Sequence, residues 1–374
     1  MRPVDLIGPA TVVSVAYIDP GNFGANIAAG SAYGLDLLWV VWLSGLLAIM
    51  YQYISGVLGL ESGVGLLDHL KARLRPLWPL YVPALFAVAL ATDLAEFVGL
   101  IIAFELLLGL PVYLAAFLGS IDVILLLVLG DRGRAYFAAI GVLASVVGFS
   151  FLIELVLVRP DLLSVAYHSL VPALGGGVAL YAASIVGATI MPHALLLHSH
   201  IVGGLDRRVH RTQTLYNLGI ASAVNAAMQI VAAYALYGKA IQISTVPKIL
   251  EPLYGPLAGL AFSIALLSSG LASSAVSVQA GALILERTLG REVARYKARL
   301  FFRLINIVPT AAILAAGLNP LDLLVYTQVV LSMVLPMVLL PLVAFARPYM
   351  SKKLAAAAYA AGAFVILIDL LTLV

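Results

Sequence analysis

Two prolines interrupt two long apolar stretches of the sequence, and each follows a side chain that can bind a metal. The first interruption reads Asp-Pro-Gly-Asn at positions 19–22, and the second reads Met-Pro-His at positions 191–193. Proline removes a backbone hydrogen bond from a helix and clashes with the preceding turn. In lipid, such an opened turn is stable only where it is buried in protein or lines a cavity. Two interrupted segments at corresponding positions of two halves therefore predict the substrate site of a transporter.

The donors at the two breaks form an unusual set. Asp19 lies near the middle of the first stretch, where a charge costs at least ~2.5–3.5 kcal/mol and is usually functional. Its simpler role is to cap the helix that begins after the proline. Asn22 adds an amide oxygen, Met191 a thioether, and the opened turns free carbonyls, for which Ala16 and Ala188 are the candidates. Mg²⁺ and Ca²⁺ prefer oxygen alone, whereas softer donors favour transition metals. From the residues alone, a divalent-metal site and an amino-acid or Na⁺ site remain equally open.

A second group of titratable residues could carry protons. Asp93 and Glu96 are spaced i, i+3, which places both carboxylates on one helix face. Such a pair serves either as a proton relay or as a partner in ion pairs. Arg299 and Arg303, spaced i, i+4, could be the partners. His193 follows the second break and could carry a proton or simply donate a hydrogen bond in the cavity.

The other polar residues in apolar segments have simpler interpretations. Gln328 is predicted to bond between helices, which is the usual role of a lone amide in a membrane helix. His200 and His210 are expected to be solvated near the cytoplasmic mouth. Three acidic residues are interpreted as structural: Asp122, Glu154 and Asp369.

Composition indicates an all-α polytopic membrane protein. The 374 residues are 63% hydrophobic and 10% charged, against roughly 25% charged in soluble domains. Apolar runs of about 20 residues, the length that spans a bilayer, recur between short loops. The absence of cysteine excludes disulfides and thiolate metal sites. Eleven spans are predicted, at residues 4–32, 37–60, 77–108, 112–129, 136–158, 176–202, 215–237, 257–285, 300–317, 321–346 and 354–374.

The distribution of positive charge predicts the orientation in a cell membrane. With the N-terminus in the cytoplasm, 18 of the 21 Lys and Arg residues lie on the cytoplasmic side, as the positive-inside rule requires. The outer loops hold only Arg159, Lys239 and Lys248. An odd number of spans places the C-terminus outside. The same bias accounts for the basic composition, so no nucleic-acid partner is predicted.

The positions of the breaks predict an internal repeat within a single transmembrane domain, residues 1–374. The breaks lie in spans one and six, and a displacement of five spans turns the second half upside down relative to the first. This is the arrangement of an inverted repeat of five plus five spans. The predicted halves are residues 4–158 and 172–346, and span eleven, residues 354–374, is additional.

Several motifs together resemble the NRAMP family of divalent metal transporters, of the prokaryotic manganese-importer type. They are D-P-G-N at 19–22, T-D-L-A-E at 92–96, M-P-H at 191–193 and T-Q-V-V-L-S-M-V-L-P at 327–336. The likeness runs from about residue 8 through span ten. It implies a LeuT-like fold with broken helices 1 and 6 and an eleventh helix. It also implies proton-coupled import of Mn²⁺ and Fe²⁺ by alternating access, with Co²⁺ and Cd²⁺ as related ions, in a monomer that has no cofactor and is not an enzyme.

The resemblance also assigns roles to residues. It implies that the side chains of Asp19, Asn22 and Met191 and the carbonyls of Ala16 and Ala188 bind the ion. Gln328 is implied to join them in some conformations. The implied proton pathway consists of His193, Asp93, Glu96, Arg299 and Arg303. The chain departs from the family pattern at Glu61, Ala194 and His200, which bears on kinetics and coupling more than on substrate class.

Three rival functions differ in what they need from the sequence. An amino-acid or Na⁺-coupled carrier of the same architecture has no need of a thioether beside an intramembrane carboxylate. An intramembrane metalloenzyme needs three protein ligands and a general base, and no such cluster is evident. A passive channel has no need of the paired carboxylates Asp93 and Glu96.

Overall fold

The fold is built from helices, and the computed structural model describes residues 8–120, 134–173 and 177–373. No strand is present in those residues. Their α-helices are α1 Pro9–Ser14, α2 Pro20–Tyr33, α3 Leu38–Ser62, α4 Leu66–Arg73, α5 Trp78–Leu108, α6 Val112–Gly119, α7 Arg134–Val158, α8 Leu162–Leu170, α9 Ala179–Thr189, α10 Pro192–Ile201, α11 Arg207–Leu236, α12 Val246–Tyr254, α13 Pro256–Leu289, α14 Arg295–Ala315, α15 Pro320–Ala346 and α16 Lys352–Leu371.

The predicted spans correspond to these helices. Eight helical segments among the described residues are long and apolar enough to cross a membrane, and they match spans two, three, five to eight, ten and eleven. Span one is divided between α1 and α2, and span nine is α14, which carries several basic residues. Of span four, only α6 and Ser120 are described. The rest of that prediction, with Asp122, lies outside the described residues, as do the first residues of span one.

Both predicted breaks are present. A short 3₁₀ turn, Val15–Ile18, separates α1 from α2, and Ile190 and Met191 separate α9 from α10. Both α2 and α10 begin at a proline, the helix position where the missing N–H costs nothing. Each long apolar stretch is therefore a pair of half-helices that meet at an opened turn.

The half-helices are enclosed by their neighbours. Helix α2 packs on α11 and α15, and α9 packs on α15. Helices α9 and α15 approach most closely at a glycine, since a Cβ at Gly187 would overlap the backbone carbonyl of Gln328. The Phe23 ring of α2 lies 5.1 Å from Phe151 of α7 and 6.0 Å from Phe262 of α13. In lipid the hydrophobic effect does not drive helices together, so their association depends on close packing of this kind, often at small residues.

Some connections between spans contain helices that the sequence analysis did not predict. These are α4, α8 and α12, each eight or nine residues long. The connections are short, as predicted, but the sequence analysis assigned no helices to them. So few residues give only about two helical turns of periodicity, which is too little to identify a helix from the pattern.

Candidate metal-binding site

Asp19 is fully enclosed at the first break and uses only one of its two oxygens. Its side chain caps α2, with Oδ1 accepting from the backbone N of Asn22 at 2.7 Å and from Asn22 Nδ2 at 3.0 Å. The capping role is therefore real. However, Oδ2 has no partner, although the residue is only 1% exposed. A buried carboxylate oxygen without a partner is costly, which suits a site that receives a cation.

The backbone of the first break is held by other helices. Residue 20 is proline, so the carbonyl of Ala16 lacks its normal i+4 donor. Within the described part of the chain it accepts from the N of Asp19 alone, at 3.2 Å. The next carbonyl, of Tyr17, accepts from Asn225 Nδ2 at 2.7 Å, and the carbonyl of Ile18 accepts from Ser269 Oγ. Ala16 thus keeps a lone pair available, because a carbonyl oxygen can accept twice.

The second break repeats this chemistry and touches the first. Residue 192 is proline, so the carbonyl of Ala188 also lacks its i+4 donor. It accepts from Asn22 Nδ2 at 2.9 Å, which joins the two opened turns directly. Met191 occupies the position just before α10 in an extended conformation, with φ −82° and ψ 117°, and is fully buried. The hydrogen bond between Asn22 and Ala188 brings together two breaks that are more than 160 residues apart in sequence.

Two amide oxygens at the junction also lack partners. Asn22 Oδ1 and Gln328 Oε1 are buried without a hydrogen bond. The Gln328 amide lies against Gly21, where a Cβ would overlap it. Buried polar atoms are nearly always bonded, so the three unpaired oxygens at this junction, counting Asp19 Oδ2, are available as donors to an ion. The described residues contain no group of three His, Cys, Asp or Glu side chains that could hold a metal. The candidate donors at this junction are one carboxylate and several neutral groups.

The predicted ion pairs on α5 are present. Arg299 Nη1 lies 2.6 Å from Asp93 Oδ1 and 2.9 Å from Glu96 Oε2. Arg303 lies 3.3 Å from Asp93 Oδ1, and Asn306 Nδ2 donates to Asp93 Oδ2 at 2.8 Å. Both arginines and both carboxylates are at most 2% exposed. Buried charges are found only when they are paired and hydrogen-bonded in this way.

Glu96 and His193 connect this cluster to its surroundings. Glu96 Oε2 also accepts from Ser277 Oγ at 2.7 Å, whereas Glu96 Oε1 has no partner. His193 Nδ1 lies 3.3 Å from Thr92 Oγ1, on the helix that carries both carboxylates. All eleven predicted site residues are buried. The hydrogen-bonding distance between His193, which follows the second break, and Thr92 connects that break to the helix of Asp93 and Glu96.

Sequence reasoning missed the side chains that hydrogen-bond to the first break, to His193 and to the carboxylates of α5. They are Thr92, Asn225, Ser269, Ser277 and Asn306. Each is a polar residue inside an apolar helix, the signal that singled out Gln328. That signal does not tell which helix a side chain will face.

One histidine prediction was wrong. His200 is exposed, as expected, but His210 is fully buried, with Nε2 3.1 Å from the carbonyl of Tyr53 and its ring 5.1 Å from that of His198. The reason is that α11 begins at Arg207, eight residues before the predicted span, so His210 lies inside the helix. Of the acidic residues interpreted as structural, Asp369 accepts from Ser332 at 2.6 Å, and Glu154 is buried with neither oxygen paired.

Comparison with known sequences identifies similar proteins. The family model described as natural resistance-associated macrophage protein-like matches residues 10–374. A Deinococcus radiodurans protein named divalent metal cation transporter MntH is 37% identical over 362 residues, covering 92% of this chain and 82% of the relative. A Caldanaerobacter subterraneus protein of the same name is 37% identical over 354 residues, covering 90% of this chain and 83% of that one.

Solved structures show the same architecture. A manganese transporter from Eremococcus coleocola superposes with a TM-score of 0.87 at 27% identity, covering 98% of this chain and 85% of that chain. MhsT in complex with L-phenylalanine superposes with a TM-score of 0.63 at 17% identity, covering 98% of both chains, a likeness that shows the fold alone. The predicted LeuT-like fold is confirmed.

Proposed function

The chain belongs to the natural resistance-associated macrophage protein-like family, and we propose that it imports divalent transition-metal ions, Mn²⁺ or Fe²⁺, together with protons that move in the same direction. The family resemblance inferred from the motifs is confirmed. Members of this family are transporters, which also confirms the prediction that the chain is not an enzyme.

One observation carries the proposal for the metal. The unpaired oxygens of Asp19, Asn22 and Gln328 are buried where the two opened turns meet. A divalent cation there gains one full negative charge and neutral oxygen donors, to which the Ala16 and Ala188 carbonyls add. The buried Met191 stands at the same break as Ala188. No observation favours an amino-acid or Na⁺ substrate.

Met191 is proposed to select against hard cations. Ca²⁺ and Mg²⁺ gain little from a thioether and prefer to complete their shells with oxygen, whereas softer metals accept sulfur. For Met191→Ala we expect the preference for Mn²⁺ over Ca²⁺ to fall about tenfold, which corresponds to about 1.4 kcal/mol. The preference is measured from how strongly added Ca²⁺ inhibits Mn²⁺ uptake in proteoliposomes.

A matched control separates selectivity from packing. Met337→Ala removes a partly buried Met from α15, away from both breaks, and should leave the preference unchanged. If Met191→Ala excludes Ca²⁺ as well as the parent protein does, the thioether has no part in selectivity.

We propose that protons accompany the metal through the cluster on α5. They pass from Asp19 or His193 toward Asp93 and Glu96, and then to the cytoplasm past Arg299 and Arg303. Two features support this route: the hydrogen-bonding distance between His193 and Thr92, and the continuous set of contacts among the carboxylates and arginines.

Alternating access is proposed to move the ion. The two inverted halves, residues 4–158 and 172–346, rock around the fixed site at the two breaks. The direction of import rests on the orientation predicted from charge, with the N-terminus in the cytoplasm of a cell and the C-terminus outside. The chain is proposed to act as a monomer.

Flux measurements in proteoliposomes test the proposal. We expect Mn²⁺ uptake that acidifies the lumen and is accelerated by an acidic exterior, with protein-free liposomes as the control. Uptake of Mn²⁺ without acidification and without any response to the pH gradient would indicate a passive channel. Metal-independent uptake of amino acids, with no Mn²⁺ flux, would overturn the proposal altogether.

A further inference from the structure

Helix α8 presents its apolar face away from the protein. Its outward side chains are Leu162, Leu163, Ala166, Tyr167 and Leu170, which lie on one continuous helical face. The three leucines are 75%, 82% and 82% exposed. The opposite face, with Ser164, Val165, His168 and Ser169, is half-buried against the protein. This is the reverse of a water-exposed surface helix, which turns its polar face outward.

Both ends of α8 are attached near the ends of membrane spans on one side of the protein. The N of Asp161, just before α8, donates to Tyr234 Oη at 2.9 Å, close to the end of α11. At the other end, Trp42 Nε1 donates to Ser169 Oγ at 3.1 Å, and His168 Nε2 lies 3.6 Å from Asp36 Oδ1. A helix of nine residues is only about 13 Å long. It therefore runs across the surface between these spans.

The apolar face of α8 follows closely in sequence on a predicted span with exposed apolar side chains. The preceding span, α7, exposes Leu152, Ile153 and Val156, as a helix in contact with acyl chains must. Only residues 159–161 separate α7 from α8. The exposed face of α8 carries no ionisable group except the Tyr167 hydroxyl, and tyrosine is enriched where a bilayer meets water.

We propose that α8 lies in the membrane interface, with its leucines among the upper acyl chains and its polar face on the protein. Amphipathic helices bind bilayers in this orientation. The side concerned is the outer one in the orientation proposed above. Through Asp36 and Trp42, α8 then holds the segment after α2 to the bilayer surface.

The absence of cysteine in the chain makes a direct test possible. Single-cysteine variants Leu163→Cys and Leu170→Cys are labelled with a nitroxide in proteoliposomes. Their collisions with oxygen, which partitions into lipid, are compared with collisions with a water-soluble nickel chelate. Leu152→Cys on α7 is the lipid reference and Gln242→Cys, at an exposed loop position, is the aqueous reference. Ser164→Cys reports the inward face of α8.

We expect the ratio of oxygen to chelate accessibility at positions 163 and 170 to exceed that at 242 several-fold and to approach that at 152. The label at 164 should be shielded from both reagents. Chelate accessibility at 163 equal to that at 242 would place α8 in water and overturn the proposal. Shielding of 163 and 170 from both reagents would show that protein covers the face, either a second copy or a partner, and would overturn it equally. Each unlabelled variant is first checked for parental Mn²⁺ uptake, which reports a folded chain.

Discussion

Asp19→Asn is expected to reduce the affinity for Mn²⁺ at least about a hundredfold, or about 2.7 kcal/mol. Asp19 is the carboxylate at the junction of the two breaks, and its Oδ2 is buried without a partner. Two unit charges 4 Å apart interact by about 4 kcal/mol at an effective dielectric constant near 20, and a divalent ion doubles this. Desolvation of the ion offsets part of the gain. Calorimetric titration of the purified protein measures the affinity directly, and uptake should fall in parallel.

The substitution is chosen so that folding is preserved. Asparagine caps helices about as well as aspartate, so the bond to the N of Asn22 can form in the variant and the melting temperature should stay near that of the parent protein. Asp369→Asn is the matched control, because it removes another intramembrane carboxylate that bonds Ser332 and lies at neither break. Parental Mn²⁺ affinity in Asp19→Asn, or an equal loss in Asp369→Asn, would contradict the proposed role of Asp19.

Arg299→Met is expected to destabilise the protein by about 3–5 kcal/mol, the usual cost of leaving a buried charge without its partner. Arg299 contacts both Asp93 and Glu96. Asp93 keeps Arg303 and Asn306 in the variant, whereas Ser277 is the remaining partner of Glu96 among the described residues. Glu96 is therefore the carboxylate whose charge is left uncompensated by the substitution. Thermal unfolding in detergent measures the change.

The double variant Arg299→Met/Glu96→Gln supplies the control. Removing the uncompensated charge should recover most of the lost stability, and the interaction between the two sites follows from the double-mutant cycle. If Arg299→Met is as stable as the parent protein, or if the second substitution recovers nothing, the pairing of Arg299 with Glu96 does not support the fold.

Glu96→Gln alone distinguishes a relay from a structural ion pair. The amide can still accept hydrogen bonds from Ser277 and Arg299, but it cannot take up a proton. If Glu96 relays protons, lumenal acidification per Mn²⁺ should fall while Mn²⁺ binding remains. Unchanged coupling in a stable variant would leave Glu96 with the structural role only.

The spans and the breaks were predictable because their causes are local. A run of about twenty apolar residues identifies a span without reference to its neighbours, and a proline opens a turn wherever it stands in a helix. Helices α2 and α10 begin at the two prolines that the sequence singled out. Asp19 and Met191 were recognised for the same reason, since their chemistry is unusual at that depth and next to those breaks.

The partners of the polar residues were not predictable in this way. Gln328 and Asn225 look alike in sequence, each an amide in an apolar helix, yet one leaves an oxygen free at the junction and the other bonds the carbonyl of Tyr17. The rotation of each helix and its close packing on its neighbours decide which groups each amide can reach. Gln328 reaches the first break because Gly21 leaves room for its amide, and Gly187 lets α15 approach α9.

Two further features show the same limit. His210 was expected to be solvated, but an earlier start of α11 buries it against Tyr53. The leucines of α8 give no sign in sequence of whether they face the rest of the protein, and the contacts of His168 and Ser169 show that they face away from it.

The amino-acid sequence alone therefore established the membrane class, the two broken spans and the chemical character of the donors, because hydropathy and proline act on the chain within one or two turns. The meeting of the breaks through Asn22 and Ala188, the unpaired oxygen of Gln328 and the outward face of α8 arose from folding. Each depends on which side of a helix meets which neighbour, and that is set by packing between segments far apart in the chain.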